Sequence, residues 1–382
     1  MNIQFLLIGD LRGRRIKAFT QCLKDLNIYN YKVISWMEIL DDISIFQSNL
    51  KENTIVKLEP PEKDLEIYRK FLIKGEEKGI ICKEKIMKLD FSKYPIVAPA
   101  QWYEGFKVVL QDMKKIVHAV DFNIFLMNDF EDVINMMDKS RTYDLLEKHM
   151  KNSEFYLPKR LEMPKSYKEL REIYGNQLMK CFIKLRYGSG STGILAYSNH
   201  PKRGEEKVFT SLNFQKSNGE KMFFSNYRVN CFKEREVVEE LMNWVLNNGA
   251  HMEKWIPKST YKGYAFDTRA FVLEKKSSYL LSRLSKSPIT NLHLKNQRKE
   301  SNEIFEEKDL KRVAKASEDV MKIFSNSLYA GIDVVTSNSY RPYIIDVNPF
   351  GDLFHHLLGT KENIYYLEIN KAINMLRGEI NG

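Results

Sequence analysis

The stretch LYAGIDVVTSNSYRPYIIDVNPFGD, residues 328–352, carries acids inside two apolar runs. Asp333 closes the first run, and Asp346 lies thirteen residues later at the end of the second, with Asn348 two positions beyond it. Positions two apart on a strand face the same side, so Asp346 and Asn348 would present oxygen atoms together, and Asp333 could complete the set from an antiparallel neighbour. Hard oxygen donors of this kind suit Mg²⁺ that shares its coordination with nucleotide phosphates. The alternative is a pair of Asp residues that cap turns, but the acids stand before the turn.

A second stretch, CFIKLRYGSGSTGILAY at 181–197, places Lys184 in a strand that runs into a loop of glycines and hydroxyl residues. The lysine precedes the glycines, so the order differs from that of a P-loop. Glycines would let the backbone approach a phosphate, and loop N–H and hydroxyl groups could donate to its oxygens. The residues with this predicted role are Gly188, Ser189, Gly190, Ser191, Thr192 and Gly193. A plain Gly/Ser hairpin turn with a surface lysine is the alternative.

A third stretch, HMEKWIPK at 251–258, follows a helical segment and stops at a proline that would end strand pairing. Its free backbone edge and one acid could read the amino group and ring nitrogen of an adenine. The predicted contacts are Glu253 and the backbone of Lys254 and Ile256. An ordinary amphipathic strand would look the same in isolation.

Composition limits the classes of protein that the chain can represent. Lys and Arg number 60 against 50 Asp and Glu, which gives a formal charge of +10 and favours anionic partners. No arginine-rich arm or nucleic-acid module is present, so a nucleic acid is not the expected partner. No apolar run is long enough to cross a bilayer, and the four cysteines are scattered. These features predict a cytoplasmic protein with reduced thiols and no membrane partner.

The order of apolar patterns predicts an α/β protein that begins with a small Rossmann-like domain. IQFLLIGD and YKVISWMEIL at 31–40 are predicted strands around a helical segment, and the glycines of GDLRGR do not have dinucleotide-site spacing. Helical patterns follow, and after them come the Lys184 strand, a strong helix at 234–248 and several β-like runs. The predicted domains are 1–125, 126–254 and 255–382.

Taken together, these segments resemble the ATP-grasp superfamily over roughly 128–358. The resemblance implies an ATP-grasp fold, with two α+β subdomains that clasp ATP behind the N-terminal domain. It implies that Lys139 in MMDKSR and Lys184, which are 45 residues apart, hold the nucleotide phosphates. It also implies that the Gly/Ser loop is a lid, that Glu253 lies at the adenine hinge, and that the acids of the first stretch bind metal.

YAFDTRAFVL and SPITNLHLKNQR, at 264–273 and 287–298, resemble the ribosomal-protein glutamate ligase and glutathione synthetase branch. That likeness implies that Arg269 faces the transferred phosphoryl group and that Asn291 and His293 lie near the phosphates. His293 taken alone also fits a structural histidine. The sequence departs from the branch at Lys295-Asn296, where a glycine pair often follows.

The resemblance implies a ligase that uses ATP and two Mg²⁺ ions, with Mn²⁺ as an alternative metal. Such an enzyme activates a carboxylate as an acylphosphate and joins it to an amine or thiol, releasing ADP and phosphate. The expected acceptor is an amino acid, a peptide or an acidic carrier protein, and a homodimer remains open. A kinase of the same architecture and a nucleotide-binding module without turnover are the alternatives. Arg283 is interpreted as a structural or surface residue rather than a substrate contact.

Overall fold

Three β-sheets organise the chain in the computed structural model, which describes residues 2–61, 64–90, 95–188, 192–217, 220–290, 297–352 and 364–381. We call them the N-terminal, middle and C-terminal sheets after their order in the sequence. The mixed α/β class predicted from the sequence is confirmed.

The N-terminal sheet is parallel, with strand order β2-β1-β3-β4. Its strands are β1 (Gln4–Ile8), β2 (Tyr31–Ile34), β3 (Thr54–Leu58) and β4 (Ile124–Leu126). The accompanying helices are α1 (Arg14–Asp25), α2 (Trp36–Asp41), α3 (Ser44–Ser48), α4 (Leu65–Lys74), α5 (Lys83–Met87) and α6 (Pro99–Ala119). The sheet is buried on both faces, as is usual for parallel sheets joined by crossover helices.

The second predicted strand, YKVISWMEIL, is wrong after its fourth residue. Ser35 accepts a hydrogen bond from the backbone N–H of Glu38, and the Glu38 carboxylate accepts one from the Ser35 N–H. This capping box starts α2 directly after β2. The apolar residues that suggested a strand therefore lie on a helix, where Trp36, Ile39 and Leu40 are buried.

The middle sheet is antiparallel, with strand order β8-β7-β6-β5-β9. Its strands are β5 (Met179–Leu185), β6 (Ile194–His200), β7 (Glu205–Ser217), β8 (Glu220–Phe232) and β9 (Ala250–Lys254). Before it come helices α7 (Phe130–Met137), α8 (Lys139–His149) and α9 (Tyr167–Tyr174), and α10 (Arg235–Asn247) connects β8 to β9. One face of the sheet packs against α9 and α10 in a core that includes Ile183, Leu170 and Leu241. Most of the long β7–β8 hairpin was not predicted from the sequence.

The C-terminal sheet is also antiparallel, with strand order β13-β12-β11-β14-β15. Its strands are β10 (Thr260–Tyr261), which pairs with β11, then β11 (Tyr264–Leu273), β12 (Lys276–Ser285), β13 (Gln297–Glu300), β14 (Tyr329–Thr336) and β15 (Pro342–Asn348). Helix α11 (Glu307–Ile323) and helix α8 cover one face of this sheet through a shared core. The opposite face of the C-terminal sheet faces the middle sheet.

The last helix, α12 (Ile364–Asn381), packs with α1 in a core that contains residues of the N-terminal sheet and of β11, β12 and β14. Lys57 of β3 and Glu368 of α12 are both 1% exposed, and the Lys57 Nζ donates to a Glu368 carboxylate oxygen at 2.7 Å. The same ammonium donates to the Tyr329 hydroxyl of β14 at 2.8 Å. Burial would lower the pKa of Lys57, but Glu368, Tyr329 and Glu59 raise it, so the ammonium stays charged. The division into domains at 125/126 and 254/255 stays a prediction.

Among the described residues, no helix combines the length and the apolar character needed to cross a bilayer.

We expect Lys57→Met to lower the free energy of unfolding by about 3–5 kcal/mol, because it leaves Glu368 buried without its cation. The double variant Lys57→Met/Glu368→Leu should recover most of that loss, since apolar side chains can replace a buried ion pair without large cost. Urea unfolding followed by circular dichroism measures both. Lys371→Met, on the same helix but 37% exposed, is the matched control and should change stability by less than about 1 kcal/mol. A double variant no more stable than the single one would contradict this account.

Candidate functional site

Two charged sheet faces meet between the middle and C-terminal sheets. On β5, Cys181 and Ile183 point into the helix-covered core, so Phe182 and Lys184 lie on the opposite face. On β11, Phe266 and Ala270 point into the core beneath α11, which places Asp267 and Arg269 on the other face. The Lys184 Nζ donates to the Ile345 carbonyl of β15 at 3.1 Å, which joins the two faces.

Lys184 is 5% exposed and forms an ion pair with Glu253, its diagonal neighbour on β9. Glu253 also lies 3.4 Å from the His251 Nε2. Burial would raise the pKa of Glu253, but Lys184 and His251 lower it by more, so the carboxylate is ionised. The acid predicted to read adenine is therefore the ion-pair partner of the lysine predicted to bind phosphate.

The predicted hinge edge is also occupied by protein. The Lys254 N–H donates to the Lys159 carbonyl at 2.8 Å, and the Trp255 N–H donates to the Lys180 carbonyl at 3.1 Å. The side chain of Ile256, the third residue of this group, is half-buried. A ligand at this hinge would meet a β9 that is paired on both sides, because residues 159–161 pair with its outer edge.

Lys139 begins α8 and reaches the same region as Lys184. Asp138 caps the helix by accepting from the Ser140 and Arg141 N–H groups, and it binds Arg186 at 2.5 and 2.7 Å. The Lys139 Nζ donates to the Gly188 carbonyl at 2.6 Å and lies 3.5 Å from an Asp346 carboxylate oxygen. The fold thus brings the two predicted phosphate lysines to adjacent residues of β15.

The loop after β5 is described at Gly188 and again from Thr192, and Ser189, Gly190 and Ser191 lie outside the described residues. Gly193 has φ +67°, and a Cβ there would stand 2.3 Å from Leu185 side-chain atoms. Only glycine fits this close return of the loop onto β5. Asn291 and His293 also fall outside the described residues.

Two of the predicted metal ligands, Asp333 and Asp346, share one row of the C-terminal sheet, and Asn348 lies two residues further along β15. Asp333 lies opposite Asp346 in the β14–β15 ladder, and Gly331 lies opposite Asn348. The Asn348 side-chain N–H donates to the Gly331 carbonyl at 3.2 Å, so its amide oxygen is not used in that bond. Two carboxylates and an amide oxygen are donors of the kind that Mg²⁺ prefers, and in this respect the residues fit the ion. Among the described residues, no group of three or more His, Cys, Asp or Glu is arranged around a metal position.

Arg269 continues this row, because it pairs with Asp333 across β11 and β14. Its Nε lies 2.5 Å and its Nη2 3.3 Å from the two Asp333 oxygens, and its Nη1 lies 3.5 Å from Asp352. A Cβ at Gly331 would approach the guanidinium to 2.8 Å, so this glycine makes room for the arginine. Arg269, which is predicted to face the phosphoryl group, therefore lies in the same row as Asp333 and Asp346, which are predicted to bind metal.

Two further charged residues, Asp267 and Arg283, lie opposite each other on β11 and β12, two residues along β11 from Arg269. Arg283 of β12 is 3% exposed and binds both oxygens of Asp267 at 2.7 Å, and its Nη2 reaches Asp333 at 3.0 Å. Burial would lower the pKa of Arg283, but Asp267 and Asp333 raise it. Of the two interpretations of Arg283, as a structural or as a surface residue, its burial agrees with the structural one. Sequence reasoning missed Asp267, although its position two residues before Arg269 on a predicted strand places both on one face.

Arg15 of α1 was also missed. Its Nη1 donates to the Phe350 carbonyl at 2.8 Å and lies 3.2 Å from Glu59. The N-terminal sheet unit is thereby held against the turn that follows β15. No local pattern in the sequence signals this contact, because the partners are 335 residues apart.

Several solved ligases have this architecture. D-cycloserine synthetase DcsG superimposes with a TM-score of 0.55 and 12% identity, covering 98% of this chain and 99% of that chain. ATP-grasp ligase PsnB, in a complex with Mg and ADP, superimposes with a TM-score of 0.54 and 10% sequence identity, covering 98% of this chain and 99% of that chain. D-alanine–D-alanine ligase from Bacillus anthracis superimposes with a TM-score of 0.51 and 12% sequence identity, covering 99% of both chains.

A scan with protein-family models and a search of curated proteins gave no match to the sequence. The likeness therefore rests on structure, and at these identities it concerns the fold. From its N-terminal parallel sheet to the two antiparallel sheets that face each other, the chain has the ATP-grasp fold.

Proposed function

We propose that the protein is an ATP-dependent ligase that activates a carboxylate as an acylphosphate and joins it to an amine or thiol. The observation that carries the proposal is the row Arg269–Asp333–Asp346 on one sheet, faced by Lys139 and Lys184 from outside it. Cations for phosphates and oxygen donors for a metal converge in one cleft. The ATP-grasp ligases with the same fold support this assignment.

Lys139 and Lys184 would bind the triphosphate. Both are compact positive charges with little exposure, at 10% and 7% of their side chains, and both hold carbonyl oxygens that phosphate oxygens could replace. Their present partners, Asp346 and Glu253, keep the ammonium groups paired in a buried cleft.

Asp333, Asp346 and Asn348 would hold Mg²⁺. When bound, the ion would neutralise charge on the β- and γ-phosphates during transfer. Asp346, with 26% of its side chain exposed, is the most accessible carboxylate of the row, whereas Asp333 is held by two arginines. The residues' part is to fix these oxygens on a rigid sheet beside the lysines.

Arg269 would contact the transferred phosphoryl group, since a planar guanidinium matches two phosphate oxygens. A substrate carboxylate oxygen attacks the γ-phosphorus, and the bond to the β–γ bridging oxygen breaks to release ADP. The amine or thiol then attacks the carbonyl carbon, loses its proton, and phosphate leaves. The 188–193 loop would cover the cleft and exclude water while the acylphosphate exists.

The acceptor's class follows from charge rather than from a defined pocket. The net charge of +10 favours an acidic substrate, peptide or carrier protein. One PsnB structure of this fold is a complex with a precursor peptide, which is consistent with an acceptor of that size.

Purified protein with Mg-ATP and panels of carboxylates, amino acids and acidic peptides tests the proposal. Hydroxylamine should convert an acylphosphate into a hydroxamate in step with ADP release, and mass spectrometry identifies the acid. A stable phosphate ester with no hydroxamate would instead show a kinase. ATP binding without ADP release on any panel would indicate a binding module.

Lys139→Met and Lys184→Met should each weaken ATP binding by about tenfold or more, because each removes a charge-assisted contact to phosphate. Isothermal titration calorimetry measures the affinity. Lys184→Met/Glu253→Gln removes the buried charge that the single variant leaves behind, so it separates lost binding from lost stability. Lys202→Met, an exposed lysine between β6 and β7, is the control and should bind ATP like the parent protein. Unchanged affinity in both cleft variants would contradict the assignment.

Asp346→Asn should raise the Mg²⁺ concentration needed for half-maximal ADP release by at least about tenfold, because a ligand carboxylate becomes neutral. A Mg²⁺ titration of ADP release, with EDTA as the zero point, measures this. Asp112→Asn on α6, 42% exposed at its side chain, is the matched control. If both variants reach half-maximal ADP release at the same Mg²⁺ concentration as the parent protein, Asp346 is not a metal ligand.

A further inference from the structure

A histidine lies beside the ion pair of Lys184 and Glu253. In the β5–β9 ladder His251 stands directly opposite Lys184, and Glu253 lies two residues further along β9 on the same face. His251 is 4% exposed, and its Nε2 lies 3.4 Å from one Glu253 carboxylate oxygen, while the Lys184 ammonium pairs with the other oxygen. One buried carboxylate therefore has a basic partner on each of its oxygens.

The second nitrogen of the His251 ring, Nδ1, lies 3.3 Å from the Ser140 hydroxyl at the start of α8. A serine hydroxyl rotates and can either donate or accept a hydrogen bond. It can donate to Nδ1 of a neutral imidazole whose Nε2–H is directed at Glu253, and it can accept from Nδ1–H of an imidazolium. The same arrangement of Ser140, His251 and Glu253 thus fits both charge states of the ring.

The other ionisable groups around His251 are neutral or already paired. The Tyr143 ring packs 5.3 Å from the His251 ring, and burial raises the pKa of Tyr143, so the phenol is neutral. Charged side chains on the neighbouring segments form pairs of their own: Arg160 with Asp144, Arg186 with Asp138 and Lys139 with Asp346. Among the described residues, Lys184 and His251 are the two basic side chains within ion-pair distance of Glu253. If Lys184 leaves, His251 is the base that remains beside the carboxylate.

Binding of phosphate would remove the cation from Glu253. This step rests on the proposed function, in which the Lys184 ammonium turns to the phosphates of ATP. The proposed metal ligands lie on the C-terminal sheet, so Mg²⁺ there does not replace Lys184 beside Glu253 on the middle sheet. A carboxylate this deeply buried is costly without a cation, and imidazole is the side chain that most readily gains a proton near neutral pH. A proton on His251 would supply that cation.

We propose that His251 is a positioning residue that becomes protonated when Lys184 turns from Glu253 to an anionic ligand, here the triphosphate of ATP. The proton comes from solvent and is held at Nδ1, which donates to the Ser140 oxygen, while Nε2–H stays directed at Glu253. The imidazolium then pairs with the carboxylate in place of Lys184, and the ammonium stays on the phosphates. The proton returns to solvent when the nucleotide leaves and Lys184 pairs with Glu253 again.

Proton uptake on ATP binding tests the proposal. Isothermal titration calorimetry of the full chain with excess Mg²⁺ at about pH 7, repeated in buffers of different ionisation enthalpy, gives the number of protons taken up per ATP bound. The parent protein should take up at least about half a proton more than His251→Gln, whose amide can still donate to Glu253 but does not titrate. His118→Gln, an exposed histidine in the last turn of α6, is the matched control and should behave like the parent protein. Equal uptake in the parent protein and His251→Gln would overturn the proposal.

The pH dependence of the affinity gives a second readout. A group that is protonated more in the bound state than in the free state makes binding weaken as the pH rises. Between about pH 6.5 and about pH 8.5, the affinity of the parent protein for Mg-ATP should fall by at least about threefold more than that of His251→Gln. A substitution that only loosened the fold would change the affinity alike at every pH. Parallel pH profiles would therefore contradict the role of His251.

Removal of Lys184 tests the same exchange without a nucleotide. In Lys184→Met the Glu253 carboxylate depends on His251, so NMR of the imidazole should show His251 titrating about one pH unit or more higher than in the parent protein. The His251 resonance is assigned by its absence from the spectrum of His251→Gln. In Lys184→Met/Glu253→Gln the carboxylate is gone as well, and the rise should disappear. An unchanged titration of His251 in Lys184→Met would overturn the proposal.

ATP binding separates this proposal from the proposed function. If ATP binds through Lys184 and no proton uptake depends on His251, the ligase site stands and the role of His251 fails. If ATP does not bind but the His251 titration moves to higher pH in Lys184→Met, the exchange of cations on Glu253 stands and the nucleotide assignment fails.

Discussion

Opposite charges buried between two facing sheets are the constraint on which the cleft depends. Each cation predicted to bind phosphate is already paired with an acid: Lys184 with Glu253, Lys139 with Asp346. Arg269 is paired in the same way with Asp333. An unpaired charge would be too costly at this depth, so the protein alone must satisfy the site internally. Binding of an anion and a cation together then exchanges partners without changing the overall balance of charge.

The N-terminal unit is attached to the C-terminal sheet by polar contacts as well as by a shared core, in which Phe5 and Ile55 lie in one cluster with Phe271. Arg15 reaches the turn after β15, and Lys57 reaches Tyr329 at the start of β14 and Glu368 on the last helix. The first contact ends just after β15 and the second at the start of β14, and these two strands carry Asp346 and Asp333. The position of Asp333 and Asp346 is therefore tied to the N-terminal sheet as well as to their own sheet.

The features that could be predicted from the sequence are the strands, whose apolar pattern repeats over a few residues. The prediction that Lys184 and Arg269 lie on strands is confirmed, and so is the antiparallel pairing of the Asp333 and Asp346 strands. Partners distant in sequence could not be predicted. Glu253 and Lys184 are both buried, so each charge needs the other as its partner. The pattern of residues along a strand does not show which charged residues will be buried together. Local capping at Ser35 overrode an apolar run that otherwise resembled a strand.

The buried pair between β3 and α12 has a consequence for how the chain folds as it is made. Lys57 and Glu368 are 311 residues apart, so at typical rates of synthesis the lysine waits roughly 15–60 s for its partner. During that time the Lys57 ammonium lacks the Glu368 carboxylate with which it pairs in the core, so it must stay hydrated. The N-terminal sheet is thus synthesised first but reaches its final packing last, after the strands of the cleft have been made.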